Sequence, residues 1–155
     1  MKLQKALALL ILISQLNINP ASGSEIIKKA PEAPCRLQIS IAHLSTNLKE
    51  RLGIRAVKVD ASSICNIPQS DVSITVEIWK TGKFQDYQVW KKTTFSPGAT
   101  QPGNRVNNFS TYKYCKNKVK TSYYGVAYSK AFIAGKWQYA RHVLSVAIIP
   151  LKCGT

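Results

Sequence analysis

Hydrophobic residues in this chain recur at every second position, and that period commits it to β structure. Between residues 72 and 79, Val72, Ile74, Val76 and Ile78 alternate with Ser73, Thr75, Glu77 and Trp79. On a helix this pattern would scatter apolar side chains around the circumference, whereas on a strand it gathers them on one face. The four aliphatic residues are expected to point into a core, with Ser73, Thr75 and Glu77 more exposed. Leu37, Ile39 and Ile41 repeat the alternation against Arg36, Gln38 and Ser40, and Val57, Val59 and Ala61 repeat it against Lys58 and Asp60.

Turn chemistry divides the remainder. Thr81-Gly82-Lys83 leads into a strand over residues 85–95 that carries Tyr87, Val89 and Trp90. Residues 96–104, with Pro97, Gly98, Pro102 and Gly103, read as an exposed loop. Further strands are expected over 105–115, 119–130 and 137–149, joined at Lys116-Asn117-Lys118 and Ala134-Gly135-Lys136. Pro150 has no N–H to give and is expected to end the last ladder. A single helical turn is expected over 46–52, with Asn47 as its cap and Glu50 closing a capping box. About seven strands in roughly 120 residues imply an all-β fold, a two-sheet antiparallel sandwich of immunoglobulin-like type. An antiparallel barrel is the alternative.

The beginning of the chain reads as an export signal over residues 1–23. Lys2 and Lys5 precede an eight-residue apolar run, Ala6 to Ile13, and small residues at Ala21 and Gly23 suit cleavage before Ser24. That run is too short to span a bilayer, which takes about 20 residues, and no later segment is longer. The expectation is a secreted protein with no transmembrane segment in the mature chain. Residues 24–34 mix charge with two prolines and read as a flexible leader, leaving one domain over 35–155.

Cys35, Cys65, Cys115 and Cys153 are separated by 30, 50 and 38 residues. Without a C-x2-C pair or a nearby His, this spacing does not suit zinc, and an even count in an exported chain reads as two disulfides. Three pairings are possible. Cys35–Cys65 and Cys115–Cys153 are preferred, because each would tie the ends of one locally folded unit. The first pair would lie across two antiparallel neighbours; the second would follow strands separated by one neighbour.

Together these features resemble a loosely defined group of small secreted bacterial four-cysteine β-sandwich proteins. The resemblance rests on Ala-Pro-Cys35, a second Cys thirty residues on, Val-Ser-Ile-Thr-Val-Glu-Ile-Trp79, Tyr-Lys-Tyr-Cys115 and a closing Leu-Lys-Cys153. It spans residues 33–153 and implies an immunoglobulin-like fold, with no established activity to carry over.

Charge points to the partner. The full chain has 22 Lys and Arg against 7 Asp and Glu. Residues 87–155 hold eleven of the basic side chains and no acidic one. Such a field attracts anionic polysaccharide, nucleic acid or an anionic cell surface. Within it, Tyr112, Lys113, Tyr114, Lys116, Lys118 and Lys120 interleave rings and ammonium groups, with Tyr123 and Tyr124 following. That mixture suits phosphate attraction plus stacking. The plainer reading is core aromatics beside a solvated lysine rim that discourages edge pairing.

Catalytic signatures are sparse. No Gly-x-Ser-x-Gly elbow, His-Glu-x-x-His pair or phosphate loop occurs, and neither a metal nor a cofactor is expected. A noncatalytic binding domain is the first expectation, and a cationic toxin or antimicrobial protein the second. A small ribonuclease built from His43, Glu50, Arg51, Glu77, Arg141 and His142 is the third; it needs those residues to converge. Asn108-Phe109-Ser110 is an N-glycosylation sequon.

Overall fold

A computed structural model describes residues 34–155. The expected export signal, and all of the expected leader except Pro34, lie outside the described residues. Among the described residues eleven strands and one helix follow in order. They are β1 (Cys35–Ile39), β2 (His43–Leu44), α1 (Thr46–Leu52), β3 (Ala56–Lys58), β4 (Ala61–Cys65) and β5 (Gln69–Lys80). Next come β6 (Tyr87–Thr100), β7 (Arg105–Asn108), β8 (Tyr112–Tyr114), β9 (Asn117–Ile133), β10 (Lys136–Leu144) and β11 (Ile149–Gly154). All pairings are antiparallel.

The larger sheet runs β10-β9-β5-β6, with β11 continuing along β9 beyond β10. Two three-stranded sheets, β1-β4-β7 and β2-β3-β8, come from the same three stretches of chain in the same spatial order. Each stretch is interrupted at the same level. Ser40 N–H donates to the Asp60 carbonyl at 2.8 Å and Val59 N–H to the Thr111 carbonyl at 3.2 Å, so bonds carry across the gaps. Ser40 Oγ also accepts from Asp60 N–H at 2.9 Å.

Val72, Ile74, Val76 and Ile78 are wholly buried, as the alternation required, and meet Leu37, Val57, Val59, Ala61 and Val106 in one core. Gly125 on β9 is needed for this approach: a Cβ there would stand 2.5 Å from Val59 Cγ1. The other face of β5 departs from expectation, because Thr75 and Glu77 are buried too. As the middle strand between β6 and β9, β5 is roofed on that side by its neighbours' long side chains. Thr75 shares a 2.8 Å hydrogen bond with Thr93. Glu77 accepts from Trp79 Nε1 at 2.9 Å and Tyr128 Oη at 3.4 Å, and pairs with Lys91 at 3.3 Å.

Several expected boundaries move. Residues 96–100 belong to β6, because the ladder steps over Pro97 and Gly98 opposite Asp71. Asp71 takes a positive φ of 51°, and its Oδ1 accepts from Gly98 N–H. The expected strand 105–115 breaks after Asn108, whose Oδ1 accepts from Ser110 N–H at 3.3 Å and Thr111 Oγ1 at 2.9 Å. Pro150 does not end pairing; it sits opposite Ser122 within β11, which among the described residues pairs only with β9, so its missing N–H interrupts no second ladder there. The helix is capped by Ser45 rather than Asn47, its side chain accepting from Leu48 N–H, and Gly53 closes it at φ 66°. Ala134 and Gly135, both at positive φ, make the expected tight turn between β9 and β10.

Both expected disulfides form, Cys35–Cys65 and Cys115–Cys153. The first joins directly opposed residues of β1 and β4. The geometry of the second differs from expectation. Cys115 lies where the chain crosses from β8 to β9, which belong to different sheets, and β11 lies directly along β9. Gly154 faces Asn117 so closely that a Cβ would stand 2.1 Å from Asn117 Oδ1. Two such bridges suit an oxidising compartment rather than the cytosol. Among the described residues no helix is long and apolar enough to cross a membrane.

Candidate functional site: a basic, aromatic groove between β6 and β8

β6 and β8 lie at the margins of different sheets. On β6, Trp90 and Lys92 are opposite the core residues Ile78 and Val76, so their side chains share the inward direction. Both are nevertheless exposed, because β6 is the outermost strand of its sheet. On β8, Lys113 is opposite Val57, flanked by Tyr112 and Tyr114. Asn108 fixes the spacing between the two margins. Its Nδ2 donates to the carbonyls of Ile74 at 3.1 Å and Lys92 at 3.0 Å, while its Oδ1 accepts from Thr111 Oγ1 at 2.9 Å. It is fully buried, so the sequon residue acts as a structural tie rather than an accessible attachment point.

Between these margins lies a groove of about 360 Å³. Trp90 and Lys92 line it from β6, Tyr112, Lys113 and Tyr114 from β8, and Ser110 and Lys116 from the chain on either side. Lys113 Nζ stands 4.6 Å from the Trp90 ring centroid, and the Tyr112 and Tyr114 rings lie 5.5 Å apart. Hydrogen bonding to Tyr112 raises the pKa of Tyr114 above its ordinary value. None of the lining residues is Asp or Glu, so among the described residues the three ammonium groups meet no carboxylate there.

Four of the six residues expected from sequence therefore meet: Tyr112, Lys113, Tyr114 and Lys116. Lys118 instead lines a separate hollow with Lys49 and Arg55, and Lys120 lies opposite Lys152 of β11. Of the following tyrosines, Tyr123 is core, and Tyr124 stacks on Trp79 with its hydroxyl 3.0 Å from Asp86. Trp90 and Lys92 had no sequence signal of their own, since nothing in their strand shows that β6 is an edge.

The residues named for a ribonuclease fall into two groups. His43 Nδ1–H donates to the Ile41 carbonyl at 3.1 Å and its Nε2 stands 3.8 Å from Asp60, while Glu50 and Arg51 are exposed on α1. Glu77, Arg141 and His142 lie toward the outward side of the larger sheet, where His142 packs edge-on against Tyr128 at 5.4 Å. Glu77 is already engaged by Trp79, Tyr128 and Lys91, which leaves it badly placed to take a substrate proton. Among the described residues no three His, Cys, Asp or Glu side chains could hold a metal ion.

No protein-family model matches this chain, and no curated protein matches it in sequence.

Proposed function

We propose that this is an exported, noncatalytic binding domain whose β6–β8 groove holds a segment of an anionic polymer. One observation carries the reading: three lysines and three aromatic rings, on and beside the margins of two sheets, surround one groove that no carboxylate among the described residues lines. Lysines attract the polymer's charge, and the rings offer flat faces to its bases or sugars. The scaffold is best read as an immunoglobulin-like two-layer sandwich, with the interrupted strands β1/β2, β4/β3 and β7/β8 forming the second layer. The shared spatial order of those three stretches and the single core support that reading.

Titrating the isotopically labelled protein with a short sulfated oligosaccharide and a short DNA duplex tests the site. Amide shifts concentrated in β6 and β8 are expected at low salt. Shifts confined to β9 and β11 around Lys118, Lys120 and Lys152 would move the site elsewhere.

A further inference from the structure

We propose that the outward face of the larger sheet is a second binding surface, built for a short run of acidic sugar rings. It is separate from the groove, sharing no lining residue with it.

Strand register composes this face. Phe95 of β6 is opposite Ser73 of β5, Ser73 is opposite Lys130 of β9, and Lys130 is opposite Tyr139 of β10. Directly opposed residues share a face, so the four make one row across the sheet. At about 4.8 Å per strand, the row spans roughly 14 Å from one ring to the other. Its aromatic ends are open to solvent, Phe95 at 60% and Tyr139 at 69% exposure. The next row is Thr93, Thr75 and Tyr128.

Two shallow hollows of about 280 and 380 Å³ lie here and share Tyr128, Ser129 and Tyr139. Each is near the lower end of small-molecule sites, roughly 300 Å³, so the pair suits consecutive units of a chain better than one large ligand. Ser73, Thr75 and Lys130 bound the first, Arg141 and His142 the second.

Charge selects the occupant. Glu77, whose register puts it on this face, is engaged by Lys91, Trp79 and Tyr128. Lys130 and Arg141 have no carboxylate partner among the described residues. Lys130 Nζ stands 5.3 Å from the Trp137 ring centroid, so its charge lies beside the row, over a neighbouring ring, with no carboxylate among the described residues to neutralise it. An acidic sugar carries its carboxylate on the ring that stacks, so both parts arrive at this row together. A polynucleotide carries its charge on a backbone set away from its stacking bases. Neither hollow is lined by Asn or Gln, the amides that read adenine edges.

The test uses the full exported chain carrying K92Q, K113Q and K116Q, which disables the groove so that failure there cannot be mistaken for failure here. Galacturonic-acid oligomers of one to four units, neutral galactose oligomers and oligothymidylate are titrated separately. Acidic oligomers are expected to bind, tetramer tighter than monomer, with Tyr139→Ala weakening the tetramer about tenfold. Lys130→Gln is expected to erase the preference for acidic over neutral sugar. Absence of tetramer binding, binding indifferent to both substitutions, or tighter binding of oligothymidylate would each overturn the proposal.

Discussion

Lys113 holds its ammonium 4.6 Å from the centre of the Trp90 ring, joining two strands that share no ladder. The contact reaches across the groove whose spacing Asn108 fixes. It also keeps one lysine desolvated on one side by an aromatic face, where a polyanion gains more from it than from a freely hydrated ammonium. Replacing Trp90 by Leu and Lys113 by Met, singly and together, is expected to give a coupling of about 0.5–1 kcal/mol in denaturant unfolding. Simple additivity would mean the two side chains do not meet in solution.

Asn108 should be among the most sensitive polar positions. Asn108→Ala would leave the Ile74 and Lys92 carbonyls and Thr111 Oγ1 without their present partner. A loss of about 2–4 kcal/mol is expected, measured by chemical unfolding. Expression in a cell that glycosylates sequons is expected to yield folded protein with bare Asn108 by intact mass. A stable, modified Asn108 would contradict its burial.

Val76→Asp would place an unpaired carboxylate among Ile74, Ile78 and the other residues of the core. Failure to fold is expected, seen as loss of the soluble product. A variant with the parent's melting temperature would show that β5 faces the other way.

Alkaline pH should destabilise the domain. Tyr124 is raised above its ordinary pKa by burial and then by its hydrogen bond to Asp86. Lys91 is raised by hydrogen bonds to Tyr128 and then Glu77. A folded-state pKa above the unfolded value favours the protonated group, so its contribution is complete below the unfolded pKa and is lost as pH rises through the folded one. The relevant unfolded values are 10.0 for Tyr124 and 10.5 for Lys91. Melting temperature is expected to fall above about pH 10, and Tyr124→Phe to make that fall shallower. An identical pH profile for the variant would remove Tyr124 from the explanation.

What the sequence conveyed well was local. The period of two placed Val72, Ile74, Val76 and Ile78 in the core, and Ala134-Gly135 marked a tight turn, because both features depend on neighbouring residues alone. The cysteine pairs were also legible, although Cys115–Cys153 forms through a crossover that the sequence did not suggest. What stayed hidden depends on partners distant in sequence. Glu77 looks like a solvent-facing strand residue until Lys91 and Tyr128 roof it. Pro150 looks like a terminator until β11 proves to be paired on one side only. The groove was half visible for the same reason: Tyr112 to Lys116 are consecutive, whereas Trp90 and Lys92 join them only because β6 is an edge.

The most direct test of the groove is the salt dependence of its affinity for a DNA duplex, compared between the parent, K92Q/K113Q/K116Q and K118Q/K120Q. Each phosphate contact contributes about 0.9 to the slope of log K against log salt. The groove variant is expected to lose up to about 2.7 units of slope, with its melting temperature unchanged. The K118Q/K120Q variant is expected to keep most of the parent's slope. No binding by the parent at low salt, or a slope that falls only when Lys118 and Lys120 are changed, would contradict a polyanion site between β6 and β8.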